Sequence, residues 1–553
     1  LPSMVGGKDI IKSFTMMPGV KSVGEFGSGI NVRGGGDDQN LYLIEGAPLL
    51  NTSHVLGMMS VLNPDIVSNV ALYKGQIPAN YGERVSSVME IQVRENNIKN
   101  FHVKGGIGLY DGRVLVEGPI SKKVTYKIGG RSSYSNWLLG VIPDANIQKS
   151  AASFYDLNSY ISWAGEKDRV SLFAYYSNDY FRYARLQAYN YGNILGSVNW
   201  NHYYNENLSS TGVLAYSNYS AEKDEIEVES ESSSLKTGVQ YFSGKYNLRY
   251  TGFSSHSIDG GLQVIHYNVS RGEMSPYNDL SIIPSSKLEK EKAFENAVYL
   301  NDSWNINEKI SLNLGLRYSA YFTVGPKTQL QYLSNSYTED AIIDTVFIGN
   351  NKIGKKYFGL EPRVAAKYQF NNQTSVKMSY NRNYQYITML SYTAISIPSD
   401  VWKLADDYIR PVQSDQYAIG FYRNNKENTI ETSVEFYYKN LSNVTEFKNN
   451  AVVEMNPYPE QELLNAKGQN YGIELMLKKN KGKWDGWISY TYSRSLRKAI
   501  STGSGNINNG KEYPSAFDKP HDLSILANYH INKRWRMSFN FFYSTGRPFT
   551  KPE

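Results

Sequence analysis

The densest run of ionisable side chains is Glu222-Lys223-Asp224-Glu225-Ile226-Glu227-Val228-Glu229-Ser230-Glu231. Carboxylates at that density suit a calcium ion or a cationic ligand, and equally a solvated loop. Tyr392, Trp402 and Tyr408 share one polar stretch and offer flat faces to a sugar or ring, or to one another. The signatures of catalysis are missing: no Gly-x-Ser-x-Gly elbow, no His-Glu-x-x-His and no dinucleotide fingerprint after a strand. Gly34-Gly35-Gly36 lacks the Gly-Lys-Ser/Thr ending of a phosphate loop, so its role is backbone that turns tightly. The chain has no cysteine, which excludes disulfides, thiol catalysis and zinc–thiolate sites. A net charge of +6 spread among 52 acids gives no argument for nucleic acid. The expectation is a protein that is not an enzyme, with no catalytic residue, metal or cofactor.

The elements that must position these residues alternate strictly. Ile310, Leu312, Leu314, Leu316 and Tyr318 interleave with Ser311, Asn313, Gly315, Arg317 and Ser319, and Trp535–Tyr543 repeats the pattern. A period of two puts one set on each face of a sheet, one apolar and one wet. Short turns fall around 305–309, 371–373, 424–428, 481–483 and 532–533, with long polar connections between them at 321–356, 386–413, 441–469 and 495–519. Loops sorted in this way predict a transmembrane antiparallel β-barrel, multi-pass in the cell outer membrane. The mean hydropathy of −0.48 and the lack of a long apolar run exclude a helical membrane protein but not a barrel. The 46 tyrosines suit the two membrane–water girdles. About nineteen strands follow Phe101, an odd count that ends at the outer surface. The chain is therefore expected to stop before closure of a barrel of ~22 strands, the size of plugged transporters. Leu1-Pro2-Ser3-Met4 lacks the pattern of a secretory signal, so the precursor is expected to begin upstream.

Residues 1–97 break this rhythm, and 98–553 keep it. The first segment reads as a small α+β unit with a helix around Gly7–Met17, ended by Pro18-Gly19, and an apolar strand at Leu41–Ile44. A unit this small needs support from its surroundings. Pro18-Gly19-Val20, Ile30-Asn31-Val32-Arg33-Gly34, Leu41–Pro48, Asn63-Pro64-Asp65-Ile66, Leu72-Tyr73-Lys74-Gly75 and Tyr81-Gly82 occur in an order that resembles the plug domain of TonB-dependent outer-membrane transporters. Gly34–Asn40 and Tyr81-Gly82-Glu83-Arg84 are similar to the branch common in Bacteroidetes. Glu361-Pro362-Arg363, Tyr471-Gly472-Ile473-Glu474, Phe517-Asp518-Lys519-Pro520-His521 and Thr545-Gly546-Arg547-Pro548 extend the resemblance into the barrel.

The resemblance implies a plug seated in the lumen and active import of a scarce, bulky nutrient such as a siderophore, cobalamin, glycan or peptide. Energy would come from TonB and its inner-membrane motor proteins, since the outer membrane holds no useful potential. The TonB-binding segment of the family is not found within 1–97, and a surface lipoprotein is a further possible partner. The alternative is the same fold kept as a scaffold in an outer-membrane complex, without transport. Glu474 and Glu435, with Glu431, fall on inward positions of their strands, where they pair with plug arginines or stay solvated. The resemblance nominates Arg33 and Arg84 as those arginines. By the same analogy the plug tips near Val23–Gly29 and Asn51–Met59 meet substrate through Glu25, Phe26, His54, Met58 and Met59, with Tyr392 and Trp402 from the loops. Met58-Met59 reads equally as core packing, and His54 as a polar loop residue, with no second histidine at ligand spacing.

Overall fold

The computed structural model describes residues 9–548 apart from 25–26, 28, 94–98, 135, 334–336, 394 and 501–506. Among the described residues, the segments from His102–Ile107 to Arg536–Ser544 form one sheet curved into a barrel, with no register joining its first strand to its last. Two of them, Ser286–Lys287 and Tyr513–Pro514, are two-residue pieces, and setting these aside leaves nineteen full strands. Registers between successive strands are antiparallel, as in Val298↔Tyr318 and Phe436↔Ile473. Connections such as 204–207, 306–309, 372–373 and 480–483 lie at one end. Most connections at the other end are long, with 108–110 and 184–186 as exceptions. Two long connections carry hairpins of their own, Lys327–Tyr332 with Ile342–Ile348 and Ile387–Leu390 with Val401–Leu404. The acidic run is divided: Glu222–Glu225 belongs to the strand Leu208–Glu225, and Glu229–Glu231 forms a short turn.

Alternation sorts the strand faces as the pattern requires, but the inner face is not simply wet. Along Ile310–Val324, Leu316 and Tyr318 are 48% and 43% exposed on the outside, while Arg317 and Ser319 are fully buried. Arg317 is covered by the plug at Gly82, and Ser319 by the Tyr386 hydroxyl at 2.8 Å. A core cluster joins plug residues Val32, Tyr42, Ile44 and Met89 to wall residues Leu115, Tyr160, Phe173 and Leu195.

The plug opens with a helix at Ile10–Phe14, shorter than the sequence suggests, capped by the Asp9 carboxylate accepting from the Lys12 N–H at 2.9 Å. Its sheet centres on Asn40–Ile44, which pairs in parallel with Ser87–Gln92 and antiparallel with Ala47–Pro48. Both faces of Asn40–Ile44 are covered, which is why Leu41–Ile44 reads as an unbroken apolar run.

An arginine in place of Leu316, placed in the middle of its strand on the outer face, is expected to destabilise the barrel in lipid vesicles by about 2–4 kcal/mol. Urea titration reads this directly, and an unchanged midpoint would show that this face does not meet hydrocarbon.

Candidate functional site

Strand pairing sets Glu435 directly opposite Glu474 on the inner face of neighbouring strands. Like charges in that position repel, so the site needs a cation. The plug supplies it through Arg33, which follows the strand Ile30–Val32 and holds a left-handed φ of +48°. Its Nε donates to Glu474 Oε1 at 2.8 Å, and its Nη2 donates to Glu435 Oε2 at 2.8 Å and to Glu474 Oε2 at 3.1 Å. Nη1 donates to the Lys74 carbonyl at 3.2 Å, and the guanidinium lies 4.9 Å from the Tyr437 ring centre. Lys74 Nζ adds a 2.5 Å contact to Glu474 Oε2 and donates to the Pro18 carbonyl at 2.7 Å. Two carboxylates thus meet two cations, and the buried cluster is neutral. Gly19, at φ +79°, touches the same group: a Cβ there would lie 2.0 Å from Glu474 Oε1. Sequence reasoning missed Lys74, although its inclusion in the Leu72–Gly75 motif was a usable signal. Glu431 lies at the turn end of its strand, where it accepts from Asn480 and sits 3.7 Å from Lys478 instead.

Arg84 does not join the glutamates. Glu83, at φ +72°, turns the chain so that Arg84 faces the outer side, where its guanidinium sits 5.7 Å from the Trp402 ring centre. Nη1 donates to the Glu83 carbonyl at 3.0 Å.

His54 makes a second ionic contact between plug and wall rather than an open substrate contact. Its Nδ1 lies 2.7 Å from Asp179 Oδ2 and its Nε2 lies 3.3 Å from Asp156 Oδ2, with the ring stacked on Phe154. Arg131 Nε donates to the same Asp156 oxygen at 2.7 Å, and Arg131 Nη2 donates to the Ser60 carbonyl at 2.9 Å. Both ring nitrogens face carboxylates, so both must carry protons for the cluster to be satisfied. Burial alone lowers the imidazole pKa, but Asp179 and Asp156 outweigh it and the net shift is upward. The inward alternation of Asp156 and Asp179 in their strands was the signal that could have nominated them.

A partly open space of about 50 Å³ lies between the plug tips and the inward hairpin, lined in part by Asp37, Asp38, Asp400, Arg84, Tyr219 and Trp402. Burial pushes the Asp37 carboxyl up to about 6 and that of Asp400 up to about 7. Of the sequence candidates, Trp402 lines this space, and Glu25 and Phe26 lie outside the described residues. Met58 is exposed without lining it, and Met59 packs against the Val55–Phe154 cluster. Tyr392 accepts from the Val453 N–H at 2.8 Å and packs on Phe447, while Tyr408 packs on Tyr332 and Tyr337. The three loop aromatics therefore order separate contacts instead of stacking on one another.

A plug sealed by buried charge inside a large barrel matches known families. Residues 125–552 match the model for the TonB dependent receptor-like β-barrel, and residues 4–87 match that of the TonB-dependent receptor plug domain. The chain belongs to the TonB-dependent receptor family. No curated protein sequence matches it. Among solved structures it resembles the copper transporter OprC, with a TM-score of 0.69 at 12% identity over 95% of this chain and 83% of that one. It also resembles the FrpB iron transporter from Neisseria meningitidis, at 0.67 and 13% over 97% and 84%. The ferric-catecholate import receptor Fiu from E. coli K12 gives 0.66 and 12% over 95% and 82%.

Replacing Arg33 by Gln leaves facing carboxylates with one cation, and is expected to loosen plug seating by about 3–5 kcal/mol. Limited proteolysis of the plug in the folded barrel measures this; unchanged protection would remove the cluster from the seating energy. For His54 the raised folded-state pKa makes its contribution complete below about 6.5 and lost as pH rises through the folded value. Hydrogen-exchange protection factors at Ser53–Ser60, corrected for the intrinsic rise of exchange with pH, are therefore expected to fall as pH rises above about 6.5 in the native chain and to lose that dependence in His54→Asn. A flat native profile would contradict it.

Proposed function

We propose that this protein imports a scarce, bulky nutrient across the outer membrane, with the plug as its gate and TonB, driven by its inner-membrane motor proteins, as its source of work. The observation that carries this reading is the buried Arg33–Glu474–Glu435 cluster, which ties the plug to the wall of a lumen too wide to be left open. An unplugged barrel of this size would leak; a plug seated by polar clusters on several sides, with its apolar contact to the wall gathered along Leu115–Ala215, can be displaced by a pulling partner. The outer pocket between the plug tips and the inward hairpin is the place where a ligand would report its presence to the plug. The Gly34–Asn40 and Tyr81–Arg84 motifs extend the reading to the branch common in Bacteroidetes, in which a surface lipoprotein would cover the long loops.

The experiment compares cells producing the full protein with and without functional TonB, following solutes lost from a complex growth medium by mass spectrometry. At least one solute is expected to be depleted only when both the protein and TonB are present. Identical depletion profiles would leave the barrel as a scaffold.

A further inference from the structure

Two cavities lie against the plug, one on each side of its sheet. The smaller is the outer pocket described above. The larger, about 560 Å³, lies toward the short-turn end between the plug sheet and the wall. Strand Asn40–Ile44 divides them: Asn40 and Tyr42 line the outer space, Leu41 and Leu43 the inner one. At the rim of the plug the division narrows to one peptide, because Arg84 lines the outer space and Glu83 the inner. Glu83 holds this peptide against the wall. Its Oε2 accepts from the Tyr241 hydroxyl at 3.0 Å and its Oε1 from Gln263 Nε2 at 2.9 Å. All three side chains are buried, and Glu83 keeps a left-handed φ of +72° to make the contact. Arg84, beneath Trp402, has a buried Nε with no hydrogen-bond partner among the described residues.

We propose that the Glu83–Arg84 turn is the gate between the two cavities, and that solute passes along the wall formed by Tyr241 and Gln263 when the turn lets go. A left-handed non-glycine residue stores backbone strain, so release of the turn recovers part of what the hydrogen bonds lose. Charged groups around the inner cavity engage one another or the protein: Arg249 with Asp259 at 2.7 Å, His256 with Asp302 at 2.8 Å, Glu90 with the Tyr81 hydroxyl at 2.9 Å. Amides and hydroxyls such as Asn201, Thr211, Asn247 and Ser243 make up much of the remaining lining, so the lane suits an uncharged solute rich in hydrogen-bonding groups. This proposal rests on the import reading for its physiological solute, but the gate itself is tested without one.

The probe is potassium chloride, with purified full-length protein in planar bilayers. The native chain is expected to be silent, and Glu83→Ala, or Tyr241→Phe combined with Gln263→Leu, to raise the open fraction roughly tenfold or more. Lys21→Met, which removes plug–wall hydrogen bonds to Ser493 and to the Lys519 carbonyl away from either cavity, is expected to stay silent. Because the chain has no cysteine, Glu83→Cys with Gln263→Cys can be bridged by a short bis-methanethiosulfonate, each thiolate forming a disulfide as methanesulfinate leaves. Bridging is expected to close the leak and reductant to reopen it, which a merely misfolded variant would not do. A salt gradient across the open variant is expected to give a reversal potential near zero. A silent Glu83→Ala, an equal leak from Lys21→Met, or a leak indifferent to bridging would overturn the gate, and strong ion selectivity would overturn the solute class. Failure of TonB-dependent depletion with these results intact would remove the import reading alone.

Discussion

Two glutamates facing each other across one pair of strands, in a lumen closed to water, set the terms for the rest of this structure. Glu435 and Glu474 are brought together by the strand register and cannot both stay charged there without a partner. The wall's own Lys439 donates to Ser86 instead, and the plug delivers Arg33 and Lys74 from two different segments. The barrel's charge is thus completed by the object it encloses. Seating the plug is a condition for burying these carboxylates, and unseating it exposes them to water, which is a tolerable alternative for a charge. That asymmetry suits a part that must stay put and yet be movable.

A second ionic cluster holds the opposite tip by different chemistry. His54 lies between Asp156 and Asp179, with Arg131 balancing the charge. The guanidinium cluster is insensitive to pH in any ordinary range, whereas the imidazole cluster depends on a proton. The same tip forms part of the outer pocket through Asn51, Thr52 and Ser53. Ligand contact at the pocket and plug retention at the wall therefore share a few residues of backbone, a short path for coupling the two.

The inward hairpin Ile387–Leu390 and Val401–Leu404 completes the outer side. Trp402 and Leu404 enter an apolar cluster with Tyr241, Tyr267, Tyr321 and Tyr386 of the wall, and Lys403 joins Glu291 and Asp406 in a buried network. The hairpin is thus tied to the wall by packing and by charge together. Tyrosines that face inward act here as hydrogen-bonding spacers between wall and plug: Tyr241 reaches Glu83 and Tyr175 the Val61 carbonyl. Their abundance is explained by the lumen as well as by the membrane girdles.

The amino-acid sequence determined the barrel, because a two-residue period with sorted loops has few other solutions, and the loss of that period set the plug apart from it. It also placed Glu435 and Glu474 on the inner face, since parity alone decides that. It could not say that the inner face would be dry, because dryness depends on a plug whose position is a matter of three-dimensional fit. For the same reason His54 read as a loop residue: its partners lie more than a hundred positions away on two strands, and only their register brings both carboxylates to one ring. Arg33 and Arg84 are alike in type, and local sequence gives no reason to separate them. Tertiary structure sends one to the paired glutamates and the other beneath Trp402, because the left-handed turn at Glu83 reverses the direction in which the next side chain leaves the backbone.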